Sequence, residues 1–185
     1  MTVTAERHRF TAEEYYDLYR TGVLADSERT ELVDGEVIQM APIGSGHCAT
    51  TDRINDVLMP LVSDRFIVRI QGSLKVGPRT ILQPDTVLLM RRDDFYAAAD
   101  PEPTDAGLVI EVSEASLRYD RDFKVPLYAS AGIVEVWIVQ PKLRSVTVHS
   151  QLEDGAYSVT QTFGADDQLH VPGTDASVRV DQIVG

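Results

Sequence analysis

The side chains best suited to chemistry in this chain are those of Asp85, Glu111 and Lys124. Asp85 and Glu111 are each the lone acid in a short, apolar, β-branched run that is typical of a buried strand. An ionised carboxylate in such surroundings is costly unless it is paired, hydrogen-bonded or bound to metal. A hairpin or a short crossover would bring the two acids onto neighbouring strands. The pair therefore predicts a site for a hard divalent cation, which binds carboxylate oxygens and retains waters for hydrolysis.

Lys124 points to the same chemistry through its place in a predicted helix. Because Pro126 is tolerated only in a first helical turn, the helix is predicted to begin near Asp122. Lys124 would then lie where a cation opposes the helix dipole, and a residue that breaks a local rule is a candidate for function. The alternative is that Asp120 and Asp122 neutralise Lys124 on a solvated surface, and spacing leaves both open.

Glu31 and His47 are candidates for accessory roles. Glu31 lies in a predicted hairpin whose turn, Asp34-Gly35, is of type I′ and pairs Glu31 with Ile38. It is either a third acid near the site or an exposed strand residue. His47 stands between a glycine-containing loop and a helix, where it could contact a phosphate or a metal-bound water. Its alternative is simple solvation, which is common for a loop histidine.

Composition predicts an ordinary globular protein with one domain spanning residues 1–185, since 43% of the chain is hydrophobic. No apolar stretch is long enough to cross a membrane. The polar segment 1–9 lacks the apolar region of a signal peptide. One cysteine, Cys48, excludes an intrachain disulfide and a thiolate zinc cluster. These features predict a cytoplasmic protein.

The net charge of −12 argues against nucleic acid as a partner, because its binding depends on basic side chains. The distribution of charge weakens that objection. Residues 65–92 contain one acid, Asp85, and six basic residues: Arg65, Arg69, Lys75, Arg79, Arg91 and Arg92. The region is compatible with a phosphate-bearing substrate near Asp85. It is equally compatible with an exposed sheet face whose edges are protected by basic side chains.

The order of predicted elements indicates an α/β (α+β) fold. A helix, three strands, a second helix and another strand form the predicted core. An N-terminal helix and a hairpin precede this core, and the helix begins with a capping box at Thr11 and Glu14. A second hairpin, around Asp154-Gly155, follows the core. This order predicts a mixed β-sheet flanked by helices. Such a sheet would hold the acids rigidly while a helix brings a base to its edge.

The chain resembles the Uma-two family of restriction endonuclease-like proteins, within the PD-(D/E)xK nuclease superfamily. The likeness runs from about Phe10 to Ile183. Its most specific part is Asp120-x-x-x-Lys124 followed by a Leu-Tyr-Ala-x-Ala-Gly motif and a Val-Trp-Ile-Val strand. The matching segments are residues 31–36, His47, Pro84-Asp85, residues 111–113, residues 119–121 with Lys124, residues 127–132 and residues 135–139.

The resemblance implies a restriction endonuclease-like fold. It also implies an enzyme that hydrolyses phosphodiester bonds of DNA with Mg²⁺ or Mn²⁺. Asp85, Glu111 and the Val112 carbonyl would hold the metal. The lysine expected two residues after the glutamate is Ser113 here, and the resemblance implies that Lys124 replaces it. It also implies a homodimer. Two alternatives stay open: a catalytically inactive, dimeric interaction module of the same fold, and a hydrolase of another phosphate ester.

Overall fold

The computed structural model describes residues 6–25 and 27–185, and residues 1–5 of the polar N-terminal segment lie outside this range. Its strands are β1 Thr30–Val33, β2 Glu36–Gln39, β3 Phe66–Ile70, β4 Leu74–Gly77, β5 Thr80–Leu82, β6 Thr86–Met90, β7 Ala106–Val112, β8 Val136–Gln140, β9 Ser145–Glu153, β10 Ala156–Gly164, β11 Gln168–His170 and β12 Ser177–Arg179. Its helices are α1 Ala12–Arg20, α2 Ser45–Val62, α3 Leu117–Tyr119, α4 Val125–Ala131 and α5 Val180–Val184. A π-helical turn, Asp120–Lys124, joins α3 to α4.

The central sheet has six strands in the order β10-β9-β8-β7-β6-β3. β7 and β8 are parallel, and the other neighbours are antiparallel. Parallel strands need a long crossover, which residues 117–131 supply as a continuous helical segment. We call this segment of α3, the π-helical turn and α4 the site helix. The predicted α+β class, with a mixed sheet flanked by helices, is confirmed.

Apolar clusters cover both faces of the central sheet. On one face, Ile54 of α2 and Ile183 of α5 pack with Ile110 and Trp137. On the other face, the site helix and the smaller sheet β2-β1-β5-β4 pack with residues such as Val109 and Ile138. Strand residues two apart point to the same face, so Glu111 lies on the face that the site helix covers. Among the described residues, no helix is long and apolar enough to cross a membrane.

Several local predictions are confirmed. Thr11 and Glu14 form the capping box of α1. Asp34 and Gly35 have φ angles of 46° and 77°, as a type I′ turn requires, and Glu31 pairs with Ile38. The glycine of the Leu-Tyr-Ala-x-Ala-Gly motif, Gly132, ends α4 with φ at 92°, a conformation that favours glycine.

The predicted start of the helix at Asp122 is wrong. The site helix begins at Leu117, which places Lys124 in its middle rather than in a first turn. Pro126 fits because the preceding turn is π-helical: the Val125 N–H bonds to the Asp120 carbonyl, five residues back. The relaxed turn shifts the hydrogen-bonding pattern just before the proline ring, which would otherwise clash within a regular helix. The argument from the helix dipole therefore does not apply to Lys124.

Candidate active site

Asp85 and Glu111 lie on neighbouring strands and reach the same region. Asp85 immediately precedes β6, and Glu111 lies near the end of β7, which pairs with β6 through Thr86 and Ile110. Both acids are buried, with 7% and 2% of their surface exposed. Asp85 Oδ2 accepts a hydrogen bond of 2.8 Å from the Val112 N–H, which fixes its carboxylate beside the strand that carries Glu111.

Lys124 extends from the site helix into the space between two buried carboxylates. Its Nζ lies 2.9 Å from Glu31 Oε1 and 3.1 Å from Glu111 Oε1. The lysine is 2% exposed, so its interpretation as a solvated surface residue is wrong. An ammonium group this deeply buried is tolerated only when it is well paired. The side chain thus supplies the one cation in direct contact with Glu111 among the described residues.

Glu31 belongs to this buried cluster and is not an exposed strand residue. It is fully buried because β1 is an inner strand, between β2 and β5, in the smaller sheet. Glu31 Oε1 accepts a hydrogen bond of 2.8 Å from the Gln83 N–H, and Oε2 accepts one of 3.3 Å from the Tyr119 hydroxyl. The hairpin therefore carries a third acid to Lys124 and holds it in one orientation.

His47 lies in the first turn of α2 with its side chain directed at Asp85. The distance from His47 Nε2 to Asp85 Oδ1 is 2.8 Å, and the histidine side chain is 13% exposed. The alternative of a merely solvated loop histidine is therefore wrong. Together with the Val112 N–H on Oδ2, the imidazole fixes both oxygens of the Asp85 carboxylate.

One face of the site helix is polar over three turns. Asp120, Lys124 and Tyr128 follow one another at intervals of four residues, and Ser116 continues the series upstream. The Tyr128 hydroxyl donates a hydrogen bond of 2.6 Å to Glu111 Oε1. Asp120 Oδ2 accepts bonds of 2.6 Å from both Ser113 and Ser116. Ser113, where the superfamily pattern has lysine, thus helps to fix Asp120.

Sequence reasoning missed Asp120 and Tyr128 as site residues, although a signal was present. Residues four apart share one face of a helix, so the position of Lys124 already implied both neighbours. The π-helical turn at Asp120–Lys124 is a second signal of function, since such turns are frequent at functional sites. It could not be predicted from the sequence pattern.

Burial and like charges dominate the electrostatics of the cluster. Burial raises the pKa of Glu111 to about 8; Lys124 opposes this shift, while Asp85 and Asp120 add to it. Burial acts to lower the pKa of Lys124, but Glu111 and Glu31 outweigh it, and the pKa is raised. Burial also raises the pKa of Asp120. The cluster therefore keeps its ammonium and favours a proton on Glu111 until another cation arrives.

The cluster opens into a cavity of about 240 Å³. Its charged lining is mainly acidic, because it includes two basic side chains, Arg29 and Lys124, and four acids: Asp85, Glu111, Glu114 and Asp120. None of the six basic residues in the segment 65–92 lines it. They are engaged elsewhere, as Arg69 is with the Phe95 carbonyl and Arg92 with Asp94. The basic residues of this segment therefore do not supply the charge of the cavity itself.

The donors at this cavity suit a hard divalent cation. Asp85 and Glu111 offer carboxylate oxygens, and Glu111 Oε2 accepts no hydrogen bond from the described residues. The Val112 carbonyl lies on the same strand edge as the Val112 N–H, which already bonds Asp85. No group of three or more His, Cys, Asp or Glu in residues 6–25 and 27–185 has the geometry of a metal site. Two carboxylates with water still suit Mg²⁺, which needs few protein ligands.

Comparison with known proteins identifies the fold and the family. No curated protein matches the chain. A crystal structure of a "putative nuclease belonging to DUF820" from Anabaena variabilis ATCC 29413 is 14% identical, with a TM-score of 0.71 over 95% of this chain and 97% of that one. This likeness shows a shared fold. The sequence model of the Uma2 family, described as "putative restriction endonuclease", matches residues 12–180, and the chain belongs to this family.

Proposed function

We propose that this protein is a Mg²⁺- or Mn²⁺-dependent nuclease that hydrolyses phosphodiester bonds of DNA. The observation that carries the proposal is the convergence of Asp85, Glu111 and Lys124 at one cavity. The family description supports a nuclease, and DNA is the substrate class that a restriction endonuclease implies. A homodimer remains a prediction, which sedimentation of the purified chain would test.

Asp85, Glu111 and the Val112 carbonyl would hold the metal ion. When bound, the ion polarises a phosphate oxygen and lowers the pKa of a water molecule. The protein keeps both carboxylates in place beforehand. Tyr128 and Lys124 hold Glu111 Oε1, while His47 and the Val112 N–H hold Asp85. Such preorganisation means that little rearrangement is needed during the reaction.

Lys124 has a second role in this proposal. Its ammonium has three N–H donors, of which Glu31 and Glu111 engage two. The third remains to orient a water molecule or to stabilise negative charge that develops on the phosphate. Because the ammonium reaches Glu111 from the site helix, Ser113 does not have to supply it. Lys124 thus serves the role of the lysine that the superfamily pattern places two residues after the glutamate.

The acidic lining of the cavity makes the order of binding important. Four carboxylates against Arg29 and Lys124 would repel a phosphodiester. A divalent cation neutralises that excess negative charge, so metal binding should precede productive DNA binding. The same acidic lining favours the alternative of an inactive interaction module if the cavity never binds metal. Activity with metal distinguishes the two.

The test is cleavage of supercoiled plasmid by the purified protein with Mg²⁺ or Mn²⁺. Wild type should produce nicked or linear DNA, and Asp85→Asn should not, because the substitution removes a metal-binding charge at nearly constant size. Asp56→Asn is the matched control, since Asp56 is an exposed acid on α2. This variant should cleave the plasmid like wild type. Cleavage that is equal in wild type and Asp85→Asn, or absent from both, would contradict the proposal.

A further inference from the structure

A second cavity, of about 300 Å³, lies on the other side of the site helix. Leu117 and Ile138 form its apolar walls. Its polar lining consists of five side chains that can donate hydrogen bonds: Arg121, Gln140, Thr147, His149 and Thr162. Among the described residues that line it, none is acidic. In a chain of net charge −12, such a lining favours an anionic ligand.

His149 is the strongest indication that the second cavity binds something. The residue is 7% exposed, and its Nδ1 lies 3.1 Å from Thr160 Oγ1. Its Nε2 is buried and has no hydrogen-bond partner among the described residues. A buried polar atom without a partner is rare and costs stability. When Thr160 donates to Nδ1, Nε2 carries the proton, and it can donate to a ligand once the side chains that cover it move aside.

Arg121 supplies the positive charge. Asp122 engages its Nε at 2.6 Å and its Nη2 at 3.0 Å. Both hydrogens of Nη1 remain available, and a guanidinium can bind a second oxygen anion through that edge. Asp122 partly neutralises this charge but does not line the cavity. The hydroxyls of Thr147 and Thr162 lie 3.0 Å apart on the opposite wall, so one donates to the other and one O–H remains for a ligand. Arginine, imidazole and hydroxyl donors together suit a phosphate group.

The second cavity is aligned with the candidate active site. Glu111, Ile138, Thr147 and Thr162 occupy one row across β7, β8, β9 and β10. With neighbouring strands about 4.8 Å apart, Thr147 and Thr162 lie about 10 and 14 Å from Glu111 along this row. That separation corresponds to the axial rise of about three to four base pairs, at about 3.4 Å per base pair along the helix axis.

We propose that the second cavity binds a backbone phosphate of the DNA substrate, a few nucleotides from the bond that is cleaved. Arg121 and His149 Nε2 donate to the phosphate oxygens, with the threonine hydroxyls beside them. The inference rests on the proposed function for the identity of its ligand. Free phosphate has the same chemistry, so the experiment must separate the two sources.

The primary test measures binding of a fluorescein-labelled 30-base-pair duplex by anisotropy, as a function of salt. Millimolar Ca²⁺ is included to neutralise the negative charge of the first cavity. The anisotropy measurement does not require cleavage of the DNA. Arg121→Gln should weaken binding about tenfold, as expected for a lost charge-assisted hydrogen bond. It should also reduce the slope of log K against log salt by about 0.9, the value for one phosphate contact.

Arg179→Gln is the matched control. Arg179 is also paired bidentately with a nearby acid, Asp181, and its side chain is 48% exposed against 51% for Arg121. Its neighbours Val178 and Val180 pack on the opposite face of the central sheet. The control should bind DNA like wild type. Equal affinity and equal salt slope for Arg121→Gln and Arg179→Gln would overturn the proposal.

A second measurement distinguishes DNA from free phosphate. Inorganic phosphate is titrated while the ring signals of His149 are followed by NMR. A His149 shift at micromolar phosphate, with DNA binding unaffected by Arg121→Gln, would assign the cavity to free phosphate and overturn the proposal. Weaker DNA binding by Arg121→Gln in a protein that cleaves no plasmid would support this inference while contradicting the proposed nuclease activity. Absence of DNA binding by wild type would overturn the proposal that the second cavity binds a DNA phosphate.

Discussion

The two cavities on either side of the site helix contrast in how their charges are balanced. In the first, four carboxylates line the cavity against Arg29 and the buried Lys124, and a divalent cation would offset the excess negative charge. In the second, an arginine and an imidazole whose Nε2 has no hydrogen-bond partner among the described residues line a cavity whose described walls include no acid. Asp120 and Arg121 are consecutive residues, yet they line different cavities. Local charge, and not the net charge of −12, therefore indicates what each region binds.

The largest effect should come from removing the buried cation. Lys124→Met keeps most of the side-chain volume but leaves Glu31 and Glu111 without their ammonium. Breaking a buried ion pair in this way costs about 3–5 kcal/mol of unfolding free energy. Urea unfolding without metal would measure it.

Lys142→Met is the control for this substitution, because Lys142 is exposed in the turn after β8. Its urea midpoint should match that of wild type. Adding Glu31→Gln to Lys124→Met should recover part of the lost stability, since one of the two unpaired charges is removed. If Lys124→Met unfolds at the wild-type midpoint, the contacts of Lys124 are not those described.

Metal binding should have the next largest effect. Saturating Mn²⁺ should stabilise wild type by about 3 kcal/mol if its concentration is a hundred times the dissociation constant. For a chain of this size that corresponds to about 5–10 °C in melting temperature. Asp85→Asn should lose most of the shift. Because asparagine can still accept from the Val112 N–H and bond His47, the metal-free variant should remain about as stable as wild type.

The control for metal binding is Asp56→Asn, which should show the full Mn²⁺ shift. Equal shifts in wild type and Asp85→Asn would mean that the ion binds elsewhere on this acidic protein. That outcome would remove the contrast between a cation-binding and an anion-binding cavity.

Stability without metal should depend on pH through Glu111. Its pKa is about 8 in the folded state against an ordinary value of 4.5, so the folded state binds the extra proton between these values. The contribution is complete below pH 4.5 and is lost as the pH rises through 8. Stability should therefore fall by at most about 1.4 kcal/mol per pH unit across this window.

Glu111→Gln isolates this effect, because glutamine is neutral at every pH in the window. Its stability should depend less on pH than that of wild type, and saturating Mn²⁺ should flatten the wild-type curve as well. Urea unfolding at pH 5 to 9 would measure both. A wild-type stability that falls with pH no more steeply than that of Glu111→Gln would contradict the assigned environment of Glu111.

The smallest effect on stability should come from Arg121→Gln. Arg121 and Asp122 form an exposed ion pair, and such pairs contribute little to folding. The urea midpoint should match that of wild type even though DNA binding weakens. Lys124 and Arg121 are three residues apart on one helix, so the two substitutions compare a buried, ion-paired cation with an exposed one that we propose binds phosphate. A large loss of stability in Arg121→Gln would contradict the claim that Arg121 contributes little to folding.

The sequence predicted the sheet and the principal acids because these depend on local patterns. Asp85 and Glu111 stand out as single charges in apolar strands, and the hairpin register that orients Glu31 follows from Asp34-Gly35. The burial of Glu31 could not be predicted, because it depends on the pairing of β1 with β5. In that pairing Leu32 lies opposite Ile81, which is 49 residues later in the sequence. Long-range pairing leaves no mark in a short window of sequence.

The other errors have equally physical causes. Pro126 was expected to mark a first turn because the π-helical turn before it has no known sequence pattern. The basic segment 65–92 runs along strands whose ends are far apart: Arg91 and Arg92 follow the end of β6 opposite to Asp85. At about 3.3 Å per residue they lie about 20 Å from it. Closeness in sequence therefore gave a misleading picture of charge near the site.

The most direct test of the central claim is the position of the metal. Crystals grown with Mn²⁺ should show an anomalous peak in contact with the carboxylates of Asp85 and Glu111, close to the Val112 carbonyl. The peak should be absent from Asp85→Asn crystals prepared in the same way. A peak that persists in the variant, or that lies only on other acidic residues, would contradict the account of this cavity as a metal-dependent nuclease site.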